Sequence, residues 1–155
     1  MEKNNKMKIR EATKRDLNQI AELLNEYTKY EHSLDKKIRV ESLKELKKEE
    51  TKHFSEGAIY FIAEEKGNAI GCLNANIDRR GKSKIGVIHN LIITKNARGK
   101  GYGDELVKYV FNYFKKKGCK RVKTFIFLKN KKAKDFWSKK GFNLDLGYSG
   151  SVILK

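Results

Sequence analysis

An α/β fold of the α+β kind, a mixed sheet with helices on both faces, is what this sequence predicts. Three observations carry it. Two early strand patterns, residues 59–63 and 70–77, are joined by the turn residues Lys66, Gly67 and Asn68 as a hairpin. A β-branched strand at 85–93 runs through a glycine-rich loop into helical spacing at Leu106, Val107, Val110, Phe111 and Phe114. A second strand-then-helix unit follows at 122–140. Hairpins need antiparallel neighbours and strand–helix units allow parallel ones, so the sheet is mixed and is covered on both sides. At 155 residues the chain is one domain, 1–155, long enough for a real core.

Taken in order, Met7 and Ile9 alternate with Lys8 and Arg10 as a short first strand. Thr13 with Asp16 reads as a capping box. Leu17, Ile20, Leu24 and Tyr27 share one face of a helix that ends near Tyr27, and 30–37 reads as a polar connection. A second helix is expected over 38–53. Its apolar face (Val40, Leu43, Leu46) is thin and suits a mobile surface position. After the hairpin, 78–83 is a charged turn around Gly81, and 85–93 is the central strand. The loop 94–101 leads into a helix at 102–117 stopped by Gly118. A strand covers 122–128. Asn130 is placed to cap a helix to about Lys140, ended by Gly141. Leu144 and 152–154 suggest a closing hairpin that turns through 147–150. With no proline in the chain, turns rest on Gly, Asn and Asp.

Charge is unevenly placed. The net charge is +17, and residues 98–140 hold 15 Lys and Arg against 3 Asp and Glu. Such an excess fits a polyanionic ligand or nucleic acid. Nucleic acid is the less favoured partner, because no aromatic residues alternate with the basic ones in an RNA-binding signature. Lys115, Lys116 and Lys117 end a helix, where cations meet its negative pole. No apolar run reaches a membrane span, and residues 1–8 are polar rather than a secretory signal. Cys72 and Cys119 are far apart and form no CxxC or metal spacing. A cytoplasmic protein with buried reduced thiols and no metal is expected. A homodimer is left open.

The strand at 85–93 and the helix at 102–117 flank Arg98-Gly99-Lys100-Gly101-Tyr102-Gly103. Free N–H groups and the positive pole of a helix start there, and glycines let a ligand approach the backbone. An anion cradle for phosphate or pyrophosphate results. The Walker A loop is excluded, because Asn76 stands where its first glycine belongs before Gly81-Lys82-Ser83. The dinucleotide fingerprint is excluded, because Asp104 fills its third glycine position.

What remains, Arg98 followed by Gly101 and Gly103 after a strand, resembles the acyl-CoA pyrophosphate loop of the GNAT superfamily of N-acetyltransferases. Asn130, Ala133, Phe136, Gly141 and Phe142 match a second motif of that family at its spacing. The resemblance is strong over 85–142 and looser before it. It implies a mostly antiparallel sheet in which strands 85–93 and 122–128 run parallel and splay apart. It implies acetyl-CoA as co-substrate, its pyrophosphate held along Arg98, Gly99, Lys100, Gly101, Tyr102, Gly103 and Asp104. Its pantetheine arm would meet the backbone of Leu91 and Ile93, with Asn130 and Phe136 beside it. Asn130 also suits a plain helix cap, and Phe136 with Trp137 suits core packing.

Acetyl transfer to an amine needs a group that takes the amine proton. His89 is the candidate base, two residues before Leu91, where many relatives carry a glutamate. A hydrogen-bonded structural histidine is the competing role. No nucleophile triad is visible. The stretch from Gly147 to Ser151 has Ser where a nucleophile elbow needs its last glycine, so direct attack is the simpler proposal. Trp137 replaces the tyrosine that protonates the leaving thiolate in many relatives, and indole is no useful acid. That departure keeps an acyl-CoA-binding sensor without turnover as an alternative, next to a basic nucleic-acid-binding module. The acceptor is an amine of a small molecule or a protein, expected near Tyr27, Tyr30, Glu31, Asn74 and Asn76. Glu31 and Asp35 could attract its cation.

Overall fold

The computed structural model describes residues 6–144 and 149–155. In chain order these give β1 (Lys8–Glu11), α1 (Leu17–Leu34), α2 (Leu43–Ser55), β2 (Ile59–Glu65), β3 (Asn68–Arg80) and β4 (Ser83–Ile93). Then follow α3 (Tyr102–Lys116), β5 (Arg121–Phe125), α4 (Lys131–Lys139), β6 (Asn143–Leu144) and β7 (Ser149–Ile153). The strands form one seven-stranded sheet in the order β1-β2-β3-β4-β5-β7-β6. The β4–β5 pair is parallel and the other neighbours are antiparallel. Among the described residues no helix is long and apolar enough to cross a membrane.

Local chemistry explains the turns. Lys66 and Gly67 both have positive φ, 52° and 80°, as the two-residue loop between β2 and β3 demands. Between β3 and β4 the loop is only Gly81-Lys82, with Gly81 at φ 60°. The charged stretch 78–83 is therefore strand on both sides of a two-residue turn, not the longer turn its composition suggests. Its charges lie at the strand ends beside the turn, with Arg80 and Asp78 3.3 Å apart.

The helices differ from expectation at their ends. Helix α1 runs on to Leu34, two turns past Tyr27. Its apolar pattern lapses because Tyr30 and Glu31, beyond Tyr27, face cavities rather than core. Helix α2 starts at Leu43, behind a reciprocal capping box of Ser42 and Glu45. Its thin apolar face is nonetheless anchored, for Leu46 is buried. Strand β5 stops at Phe125 rather than at 128. Gly150 lies within β7, paired with Thr124 and Leu144. The rest of the expected closing turn, 147–148, lies outside the described residues. So does the start of the elbow-like stretch.

Each sheet face has its own core. Helices α3 and α4 put Leu106, Val110, Phe114 and Trp137 against Phe61, Leu73, Ile88 and Val122. On the other face, Ile20, Leu24 and Leu46 meet Tyr60, Ile62, Cys72 and Ile92. Both cysteines are free and buried.

The α3 packing rests on a missing side chain. A Cβ at Gly86 would lie 2.6 Å from the Phe114 ring, which is itself fully buried. Gly86→Ala should cost about 1–3 kcal/mol by overpacking. At about 2–4 °C per kcal/mol for a chain of this size, the melting temperature should fall by roughly 2–12 °C. Calorimetry reads this directly, and an unchanged transition would mean that the ring has room to move.

Candidate active site

A bulge in β4 organises the site. Asn74 pairs with Asn90 and Ala75 with Ile88, which leaves His89 as an extra residue without a partner. One extra residue reverses the alternation of side chains. Ile88 accordingly shares the α3-side core with Leu91 and Ile93, whereas Ile92 points to the α1 side. His89 is turned out of the ladder. Its ring stacks on Phe125 at 5.9 Å, and its Nε2–H donates to Asn76 Oδ1. That bond puts the proton on Nε2 and leaves Nδ1 as an acceptor. Burial, then nearby His53, pushes the His89 pKa down.

The same point is where the parallel pair separates. β4 and β5 pair from Ile85/Arg121 to Ile88/Thr124 and no further. Beyond it β4 still holds β3, so its far edge from Asn90 to Ile93 opens on a cleft of about 390 Å³. The Ile93 carbonyl faces away from β3 and accepts from Arg98 Nε at 2.8 Å. By strand alternation the Leu91 backbone faces the same way.

At the other end of the cleft stands the start of α3. Gly99 and Gly101 have φ of 77° and 81°, a conformation that costs any L-residue with a Cβ. Gly101 is the N-cap, and the first helical bond runs from Glu105 N–H to its carbonyl at 3.1 Å. The N–H groups of Tyr102, Gly103 and Asp104 therefore have no helical acceptor, an arrangement that favours an anion. A Cβ at Gly103 would touch the Phe136 ring at 3.4 Å, so this turn also lies close on α4.

All the residues predicted for this cleft line it except Lys100, which is exposed on the loop. Several side chains are already engaged. Arg98 lies 3.4 Å from Glu26 and 5.6 Å from the Tyr30 ring centre. Glu26 also accepts from Thr94 Oγ1 and Lys95 N–H, both at 2.8 Å, and so braces the loop from α1. Asp104 pairs with Lys140, and the Tyr102 hydroxyl donates to Glu65. Asn130 caps α4 by accepting from Ala133 N–H at 3.0 Å and is buried at the cleft wall. Trp137 is buried edge-on between Phe136 and Phe142, at 5.1 and 4.9 Å.

A second cavity, about 520 Å³, lies between α1, α2 and the bulge. It shares Tyr27, His89 and Asn90 with the cleft, so the two meet at the histidine. Of the residues expected near the acceptor, Tyr27, Glu31, Asn74 and Asn76 line it, whereas Tyr30 lines the cleft. Asp35 does neither, its carboxylate being paired with Lys129 at 2.8 Å. Sequence reasoning missed Glu49, His53 and Glu56, although their 4- and 3-residue spacing puts them on one face of α2. It also missed Glu50, buried and bonded to the Tyr60 hydroxyl, because that contact crosses from helix to sheet.

Comparison with known proteins fits this architecture. A family model described as the acetyltransferase (GNAT) family matches residues 17–142. An uncharacterized N-acetyltransferase of Bacillus subtilis, YhfO, is 28% identical over 144 residues, covering 92% of this chain and 93% of that one. An uncharacterized N-acetyltransferase of Methanocaldococcus jannaschii is 28% identical over 89 residues, 54% of this chain but only 38% of that longer relative. Among solved structures, the PaiA N-acetyltransferase of Thermoplasma acidophilum, crystallised with coenzyme A, superposes with a TM-score of 0.76 at 19% identity. That superposition covers 96% of this chain and 99% of that one.

Proposed function

Because this chain belongs to the GNAT acetyltransferase family, we propose that it moves the acetyl group of acetyl-CoA onto a primary amine by direct attack. The observation that carries this reading is convergence. A free strand edge, a cradle of unused N–H groups and a histidine turned out of its ladder border one cleft. The relative solved with coenzyme A has the same fold, which supports the choice of ligand.

Acetyl-CoA supplies an acetyl thioester. In the transfer, a C–N bond forms, the thioester C–S bond breaks, the nitrogen loses a proton and the thiolate gains one. This chain's residues divide that work. Gly99, Gly101 and the N–H groups of residues 102–104 would hold the pyrophosphate by charge-assisted hydrogen bonds. The backbone of Leu91 and the N–H of Ile93, whose carbonyl is held by Arg98, would bond an amide-bearing arm, with Phe136 and Asn130 as the opposite wall. His89 would take the amine proton at Nδ1. Its depressed pKa keeps it neutral, and hence able to do so, at physiological pH. Trp137 offers no acid, but an alkyl thiolate leaves readily enough to collect its proton from water.

Two outcomes test the reading. Acetyl-CoA at 100 times its dissociation constant should stabilise the protein by about 2.7 kcal/mol, seen as a raised melting temperature, and pantetheine without phosphates should not. Gly101→Val should remove that shift. Its Cβ meets nothing within 4 Å, so the damage falls on the cradle and its backbone rather than on packing. A folded variant that still binds would reduce the loop to a connector.

His89→Gln should lower turnover by about 10²–10⁴-fold, the range for losing a general base, with acetyl-CoA affinity kept. The sign of the pH effect follows from the depressed pKa. A base that loses its proton at lower pH is competent over more of the acidic range. The rising limb of the pH–rate profile should therefore lie below about 6.5, the ordinary histidine value, and should vanish in the variant. An unchanged profile would assign proton removal to ordered water.

A further inference from the structure

Resting on the acetyl-transfer reading, we propose that the second cavity binds a linear aliphatic polyamine as the acceptor: one amino group at the bulge, the distal ammonium groups among the glutamates of α1 and α2.

Charge is the first argument. Glu31, Glu41, Glu49, Glu50 and Glu56 line the cavity, and no lysine or arginine does among the described residues. A random sample of this chain of the same size would hold about four, since 36 of its 155 residues are Lys or Arg. The carboxylates are not answered from within. Glu41 is held above the usual carboxylate range by burial and then by Glu49, a like charge beside it. Glu31 is held up by burial. Nearby cations are few: Arg39, which partly offsets the repulsion at Glu41, is paired with Glu45 at 2.9 Å, Lys52 lies 3.8 Å from Glu56 at the exposed end, and His53 Nδ1 lies 3.5 Å from Glu50 without hydrogen-bond geometry. Like charges held together without a counter-ion cost stability, and a bound cation repays that cost.

An orphan acceptor is the second, independent argument. Asn74 belongs to the lining of this cavity and is 8% exposed, and its buried Oδ1 has no donor among the described residues. Its Nδ2 is spent on the Tyr60 hydroxyl at 3.4 Å, and that hydroxyl donates to Glu50. A buried carbonyl oxygen without a donor is costly, and an amine N–H is what would satisfy it. Asn74 faces Asn90 across the bulge, at the junction with the cleft.

Spacing makes the ligand linear. Glu49 to Glu56 is seven residues of helix, about 10 Å at 1.5 Å per residue. Two spacers of three and four methylenes in series, joining three nitrogens, span such a distance, whereas a single amine cannot. A peptide lysine brings only the amine that must lose its proton and leaves the glutamates unanswered.

The experiment measures thiol release from acetyl-CoA with four acceptors: a linear triamine with three- and four-carbon spacers, 1,4-diaminobutane, n-butylamine and a lysine peptide. Calorimetric titration of the triamine runs alongside. The triamine should exceed n-butylamine in kcat/KM by about 100-fold, two charged hydrogen bonds at roughly tenfold each. Glu41→Gln should raise the triamine KM about tenfold without lowering the melting temperature of the free protein, because it removes a repulsion. Failure of the triamine to bind, with n-butylamine or the peptide acetylated instead, would overturn the polyamine assignment and leave the transfer reading standing. Tight triamine binding with no thiol release from any amine would overturn the transfer reading, and the acceptor role with it.

Discussion

Strand β4 has two neighbours only as far as Ile88, and the active-site architecture depends on that limit. Up to Ile88 it is an ordinary inner strand, held by β3 and by β5. Past it the β5 side is open, yet the strand cannot peel away, because β3 still pairs with Asn90 to Ile93. A free edge is normally a liability that invites other strands. Here it is recessed between α3, α4 and the end of β5, where it borders a cleft of about 390 Å³. The bulge falls at the same place, so a side chain leaves the ladder where the cleft begins.

The opposite wall follows from α3. A helix that begins at a left-handed glycine presents its first N–H groups without side chains in front of them. That helix can sit close to the sheet because Gly86 leaves space for Phe114, and α4 can sit close to it because Gly103 leaves space for Phe136. Glycines far apart in sequence thus set the width of one cleft.

This division explains what the sequence made legible. The cradle could be read because positive-φ glycines before a helix are a local signal, as is the Asn130 cap. The hairpin between β2 and β3 was readable for the same reason. The bulge could not be read, since it is a mismatch in register between residues 74–75 and 88–90 and exists only once the two strands pair. Periodicity misled at α1, where the apolar stripe stops at Tyr27 but the helix continues to line a cavity. It was underused at α2, where Ser42 and Glu45 mark the start and Glu49, His53 and Glu56 share a face. Polar residues on a helix default to a solvated reading, and only the tertiary contact of Glu50 with Tyr60 distinguishes them.

The proposed chemistry sets a conflict that the arrangement of neutral and charged groups resolves. Carboxylates attract an amine by favouring its ammonium form, but only the neutral amine can attack. A pocket of glutamates at the reacting nitrogen would therefore bind well and react poorly, spending its interaction on the ground state. In this protein the residues at the bulge are Asn74, Asn76, Asn90 and His89, all uncharged when His89 has lost its proton. The glutamates lie on α1, α2 and the segment between them, and Glu50 is separated from Asn74 by the Tyr60 hydroxyl. Amides can orient a nitrogen without stabilising its charged form strongly. Remote carboxylates can hold the rest of a polycation without touching the centre that reacts. That separation lets an acidic cavity serve a reaction that begins with loss of a proton.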